Sequence, residues 1–152
     1  LLASSAASDV YKRQALIDLA LYSENETVSI QSIARRQNIS DSYLEQLMRK
    51  LRSAGLIVSV RGAQGGYKLA RPANEISVGD VLRALEGSLE AVTCGGEDNS
   101  CQGADLCVTK FVWERINSSI RDTVDSIKLS QLVEESRLMR EKGQIQVQKC
   151  DN

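Results

Sequence analysis

The residues best suited to chemistry are three cysteines crowded into one short stretch. Cys94, Cys101 and Cys107 follow the spacing C-x6-C-x5-C within CGGEDNSCQGADLC. The stretch is Gly-rich, acidic and nearly devoid of apolar residues. Free cysteine normally behaves as a small buried hydrophobe, and no core can be built from such a segment. Three thiols in this setting are soft ligands for a metal or an iron–sulfur cluster. Structural zinc sites usually carry C-x2-C knuckles, and none occurs here. Inert or redox-active thiols remain open on spacing alone.

Composition narrows the alternatives. The chain has no His, which removes the commonest metal ligand and general base and makes a Ser-His or Cys-His pair impossible within it. There is no phosphate-loop glycine pattern and no clustered acid pair, so an enzyme is not expected. An iron–sulfur electron carrier remains as a minor alternative. No run approaches ~20 apolar residues, so no membrane partner is expected. The start LLASSAAS lacks a basic leader and a hydrophobic core, which points to the reducing cytoplasm and to cysteines held as ligands or thiols rather than as disulfides. Ser4 to Gln14 reads like the translation of a transposase sequencing adapter, so residues 1–14 are expected to be non-native.

A second set of residues is distinguished by charge. The net charge of −1 conceals a division: residues 1–29 carry net −2, residues 30–71 net +6 and residues 72–152 net −5. A basic segment between acidic ones marks a polyanion-binding face. That segment has the elements to present it. Ser29 can cap a helix from Ile30 to Gln37, which Asn38 can end in the left-handed conformation. Ser40 starts a second helix to about Ala54, with Leu44, Leu47, Met48 and Leu51 on one stripe and Gly55 closing it. Leu56–Arg61, the GAQGG turn and Tyr67–Leu69 read as a β-hairpin. Helix-turn-helix followed by a hairpin is a winged helix.

Its second helix would offer Ser40, Ser42, Tyr43, Glu45 and Gln46 to base edges in a major groove. Glu45 can accept from a cytosine amine and Gln46 can pair with adenine. Arg49 and Lys50 suit phosphates, and Arg61 beside the hairpin turn can reach a minor groove. Tyr43 is equally suited to the core. An acid such as Glu45 on a basic face repels phosphate, a cost offset only if it reads a base.

The remaining elements frame the cysteines. Ala15–Tyr22 reads as a buried helix. Ser77 caps a helix from Val78 to Leu85, with Val81, Leu82 and Leu85 as core candidates. Val112, Ile116, Ile120, Val124 and Ile127 recur at helical spacing. A long apolar stripe projecting from a small domain more often meets its own copy than the monomer's interior. The expected fold is mainly α with a small β-hairpin. It divides into a winged helix-turn-helix domain (15–87), a cysteine loop (88–107), a long dimerisation helix (108–136) and a flexible tail (137–152).

The runs ISDSYLEQLMRKLRSAGLIVSVRGAQGGYKLAR (Ile39–Arg71), ISVGDVLRALEG (Ile76–Gly87), the cysteine triplet and KLSQLVEE (Lys128–Glu135) resemble the IscR/NsrR family of winged-helix transcription regulators. The style of the cysteine stretch is most similar to its iron–sulfur assembly regulators. The resemblance implies a homodimer that binds palindromic, double-stranded promoter DNA, usually as a repressor. It also implies a cluster ligated by Cys94, Cys101 and Cys107, with [2Fe–2S] favoured over [4Fe–4S], whose state reports cluster supply, redox conditions or nitric oxide. In the resembling regulators the residue equivalent to Glu45 reads cytosine and the one equivalent to Arg61 enters the minor groove. The assembly regulators place a His ligand three residues after the third cysteine, where this chain has Lys110. Nitric-oxide-sensing relatives use an Asp from the N-terminal helix. Glu97, Asp98 and Asp105 are local alternatives, and Cys150 is remote in sequence. A regulator that binds zinc or switches through its thiols is the alternative reading.

Overall fold

A computed structural model describes residues 6–23, 26–91 and 108–150, with side chains described for 14–23, 26–91 and 108–143. The element order is α1 (Ala6–Tyr22), α2 (Ile30–Gln37), α3 (Asp41–Ser53), β1 (Ile57–Val60), β2 (Gly66–Leu69), α4 (Val78–Glu86), α5 (Lys110–Ser126) and α6 (Leu129–Cys150). The fold is the mainly helical winged helix expected from the sequence.

The helix-turn-helix is set by its caps. The Ser29 hydroxyl accepts from the Ser32 N–H at the start of α2, and the Ser40 hydroxyl accepts from the Tyr43 N–H at the start of α3. Between them Asn38 takes φ 54°, ψ 47°, which redirects the chain within a single tight turn. Gly55, at φ 71°, ends α3. There the Leu56 N–H reaches back to the Leu51 carbonyl at 3.0 Å.

The wing is one antiparallel pair, in register from Ile57 opposite Leu69 to Val60 opposite Gly66. It is docked by main chain: the Val28 N–H donates to the Tyr67 carbonyl at 2.9 Å, and the Tyr67 N–H to the Val28 carbonyl at 2.8 Å. Gly66 permits this approach, because a Cβ there would stand 2.6 Å from the Val28 oxygen.

One core unites the elements. Leu16 and Leu19 of α1, Ile33 of α2, Leu44, Met48 and Leu51 of α3, Leu56, Ile57, Ile76, Val81, Leu85, Leu129 and Val133 are all buried in it. Burying each such side chain contributes about 1.5–3 kcal/mol. Asp18 is buried among these residues and partnered. It accepts from Arg36 Nε and Nη2, the latter at 2.6 Å, and from Gln37 Nε2 at 3.1 Å, so it ties α1 to the end of α2.

The C-terminal half differs from expectation. The stripe expected to form one helix over 108–136 is divided between α5 and α6. Ile127 is extended (φ −85°, ψ 123°). Its carbonyl accepts from the Val78 N–H at 2.8 Å, and the Leu129 N–H donates to the Ile76 carbonyl at 2.8 Å. This backbone pairing turns the chain so that Leu129 and Val133 enter the core and α6 packs against α1. The backbone of residues 137–150, expected as a frayed tail, continues α6.

Candidate nucleic-acid interface and cysteine segment

Helix α3 buries Leu44, Leu47, Met48 and Leu51, and this orients everything else on it. Ser42, Glu45, Gln46 and Arg49 emerge together as an exposed stripe, at the i, i+3, i+4, i+7 spacing of one helix face. The structure thus gathers three of the residues expected to face bases, Ser42, Glu45 and Gln46, with Arg49, expected at the phosphates. Ser40 is exposed, and its hydroxyl is also the helix cap. Tyr43 is half-buried and packs against the core, so one side of its ring serves the fold. Arg61 is exposed where β1 gives way to the turn, as the sequence suggests.

Lys50 lies elsewhere. Its ammonium donates to the Leu85 carbonyl at 3.0 Å, at the C-terminal end of α4. A cation there satisfies one of the carbonyls the helix leaves open and meets the negative end of its dipole. Lys50 therefore joins α3 to α4, a role its basic character alone does not reveal.

Further polar interactions hold these elements together, and of them only the Ser77 cap was evident from the sequence. The Arg36 guanidinium stacks over the Tyr22 ring at 4.3 Å while pairing with Asp18, and the hydrogen bond to Asp18 holds it above its ordinary pKa. An Asp inside the apolar run ALIDLALY was the available signal, since a buried carboxylate needs a partner. At the start of α4, Ser77 and Asp80 form a reciprocal capping box. Burial pushes the Asp80 carboxyl upward, but the Ser77 backbone and hydroxyl and the Arg83 guanidinium outweigh it, leaving Asp80 below the usual carboxylate range. Arg83 also pairs with Asp125 of α5 at 2.6 Å, which bonds it to the far helix.

Cys94, Cys101 and Cys107 lie outside the described residues, as do Glu97, Asp98 and Asp105. The structure shows where their segment joins the fold: it leaves after α4 at Ala91 and returns at Val108, just before α5. The chemistry of the donor set fits an iron–sulfur cluster: three thiols, no imidazole, and soft-metal preference. Lys110, where the assembly regulators place a His, is the first residue of α5. Among the described residues no three carboxylate or thiol groups converge to hold a metal. No helix among them is long and apolar enough to cross a membrane.

A tight helix-turn-helix with a polar exposed stripe, followed by a docked wing, defines a DNA-binding regulator. Residues 7–135 match the family model of Rrf2, described as an iron-dependent transcriptional regulator. The chain belongs to this family of transcription regulators, not to a family of enzymes. It is 43% identical over 129 residues to the HTH-type transcriptional regulator IscR of Pectobacterium atrosepticum, covering 85% of this chain and 78% of that protein. It is 41% identical to IscR of Vibrio cholerae, with 85% and 74% covered. Among solved structures, T. potens IscR superposes with a TM-score of 0.67 at 44% identity, covering 88% of each chain. CymR of B. subtilis, the global cysteine regulator, superposes at 0.68 with 35% identity, covering 87% of this chain and 97% of that one.

Proposed function

We propose that this protein is a cytoplasmic, homodimeric repressor whose affinity for palindromic promoter DNA is set by an iron–sulfur cluster on Cys94, Cys101 and Cys107. The observation that carries the reading is placement. The cysteine segment is inserted between α4, which Lys50 bonds to the reading helix, and α5, which presents an exposed apolar face. On α5 and just before it, Val108 is 82% and Phe111 66% exposed, with Val112 and Ile116 also exposed. A second copy of α5 is the occupant this face suits, and it would set the distance between two reading helices.

Within each half-site, Glu45 and Gln46 read bases, Ser42 and Arg49 meet the edge of the groove and its phosphates, and Arg61 enters the minor groove. Tyr43 supports the helix and offers only its exposed edge. When bound, the cluster supplies a thiolate-held, redox-active centre whose loss or oxidation changes how the segment between α4 and α5 is held. A [2Fe–2S] centre is favoured. Lys110 carries an ammonium and does not serve as the fourth ligand, so a carboxylate, an external group or the partner subunit completes the set.

Anaerobic purification with visible absorption and iron and sulfide analysis tests the cofactor, and titration of promoter DNA with and without the cluster tests the switch. Colour with matching iron and sulfide, lost in Cys94→Ala, Cys101→Ala and Cys107→Ala but kept in Cys150→Ala, supports the reading. A colourless protein with stoichiometric zinc rejects it. A thiol-switch regulator is the second reading, favoured by similarity to CymR of Staphylococcus aureus, 40% identical in its oxidised form. In that case oxidant changes DNA affinity in protein free of iron.

A further inference from the structure

Asp125, in the last turn of α5, does more than balance Arg83. Its Oδ1 accepts from Arg83 Nη2 at 2.6 Å and, at a longer 3.4 Å, from the Ser77 hydroxyl. That hydroxyl also accepts from the Asp80 N–H, so Asp125 shares the group that caps α4. The carboxylate lies over the first turn of that helix, where the helix dipole favours an anion. Gly79 makes the seat, because a Cβ there would collide with the Asp125 Oδ1. Gly79 is buried in the helix and has no positive φ. A glycine inside a helix weakens it relative to alanine, and what this one provides is room for Asp125.

The seat completes a path from α3 to α5. Lys50 bonds α3 to the C-terminal end of α4, and Asp125 bonds the N-terminal end of α4 to α5. The main-chain pairing of Val78 with Ile127 fixes where α5 ends, not the direction in which it runs. Farther along α5 the Asn117 Oδ1 accepts from the Ala91 N–H at 2.9 Å, but Gly87, at φ 86°, has already turned that arm out of α4. Asp125 is thus bonded to the helix itself rather than to the arm. Phe111, in the dimer face proposed above, is about 21 Å of helix away from Asp125. A swing of about 10° at Asp125 would carry Phe111 by about 3.5 Å, the rise of one base pair.

We infer that Asp125 is a positioning residue for operator spacing: seated over Gly79 between Ser77 and Arg83, it fixes the direction of α5 against α4 and thereby the separation of the two α3 helices in the dimer. The inference rests on the dimer reading above. It touches no base and no phosphate, so it acts on which half-site spacing is preferred and not on how one half-site is bound. The carboxylate is the working part, and the missing side chain at Gly79 is what admits it.

The test uses the full chain and a palindrome that the wild type selects from random double-stranded DNA. Affinity is measured for that duplex, for versions with one central base pair removed or added, and for a single half-site, with sedimentation velocity alongside. The wild type is expected to favour one spacing. Asp125→Ala, which removes the acceptor, is expected to narrow that preference by about 2–30-fold while the dimer and the half-site affinity are kept. Gly79→Ala, which favours the helix and keeps every charge but fills the seat, is expected to do the same without altering α5. Asp122→Ala removes a carboxylate bonded to Ser118 on α5 itself and is expected to keep the wild-type profile. Wild-type spacing preference in both Asp125→Ala and Gly79→Ala overturns the inference, as does an equal narrowing in Asp122→Ala. An equal loss of affinity for every duplex, half-site included, also overturns it, because a general structural role acts in that way. A wild-type chain that is monomeric, or indifferent to spacing, overturns the dimer reading itself, and with it this role for Asp125.

Discussion

Helices α3 and α5 are both amphipathic, and they resolve their amphipathicity in opposite ways. In α3 the apolar stripe is buried to the last residue, and the polar stripe with Glu45, Gln46 and Arg49 faces outward. In α5 the apolar residues Phe111, Val112 and Ile116 face outward, and the buried position is the polar Asn117. The apolar stripe of α3 is covered by its own chain, whereas α5 leaves apolar surface open, the surface that the proposed dimer would cover. Their mutations should therefore separate: those in α3 act on stability or on base selection, and those on the outer face of α5 act on assembly.

The largest effect is expected from Ile116→Glu. A charge in the face proposed to meet the second copy should convert dimer to monomer in sedimentation velocity. It should lower operator affinity by about 10³-fold or more, because specific recognition then rests on one half-site. Thermal stability of the monomer should change little. A variant that remains dimeric would remove α5 as the interface. Leu44→Ala should do the converse. Fully buried in the core, it should cost about 2–5 kcal/mol of folding stability in denaturant titrations, with no direct effect on assembly.

Within α3 the exposed residues should separate further. Glu45→Ala should reduce discrimination at one base position by about 1–3 kcal/mol per half-site, read by titrating base-substituted operators. Arg49→Ala should weaken all sequences alike. It should also flatten the slope of log affinity against log salt by about 0.9 for each phosphate that Arg49 neutralises. Lys50→Met tests the structural placement of that residue. Held at the Leu85 carbonyl, it should leave the salt slope near wild type while loosening α4. A drop in slope equal to that of Arg49→Ala would return Lys50 to the phosphates.

The smallest effect should come from acid. Asp80 titrates below its unfolded value, so the stability it contributes is present above the unfolded carboxylate range, about pH 4. It is lost as pH falls through the lower folded value. Because Asp80 is partly exposed, the contribution is small and screened. Asp80→Asn should make the acid limb of a stability–pH profile shallower and leave the neutral plateau nearly flat.

How far the sequence disclosed these regions depends on how local the signals were. The caps Ser29, Ser40 and Ser77, the left-handed Asn38 and the closing Gly55 act within one turn, so α2, α3 and the start of α4 were readable. The Gly65–Gly66 pair marked the wing for the same reason. The break at Ile127 was not readable, because the apolar spacing runs on toward Leu129 and Val133 without proline or glycine. Only pairing with Ile76 and Val78, some fifty residues away, ends α5 there. Lys50 and Asn117 were opaque likewise. Basic and polar residues on helices advertise solvent or ligand, and their actual partners are main-chain groups distant in sequence.

The wing has one more consequence. Its attachment to the body at Val28 and Tyr67 is made by peptide groups, and near its tip the Thr27 hydroxyl donates to the Gln64 carbonyl. These bonds recognise no side chain of the tip. Arg61, Ala63 and Gln64 can therefore diverge among descendants of this chain without unseating the hairpin, provided Gly62, Gly65 and Gly66 are kept. If the wing meets one groove as proposed, target preference there would drift by single substitutions while the scaffold and α3 stay as they are.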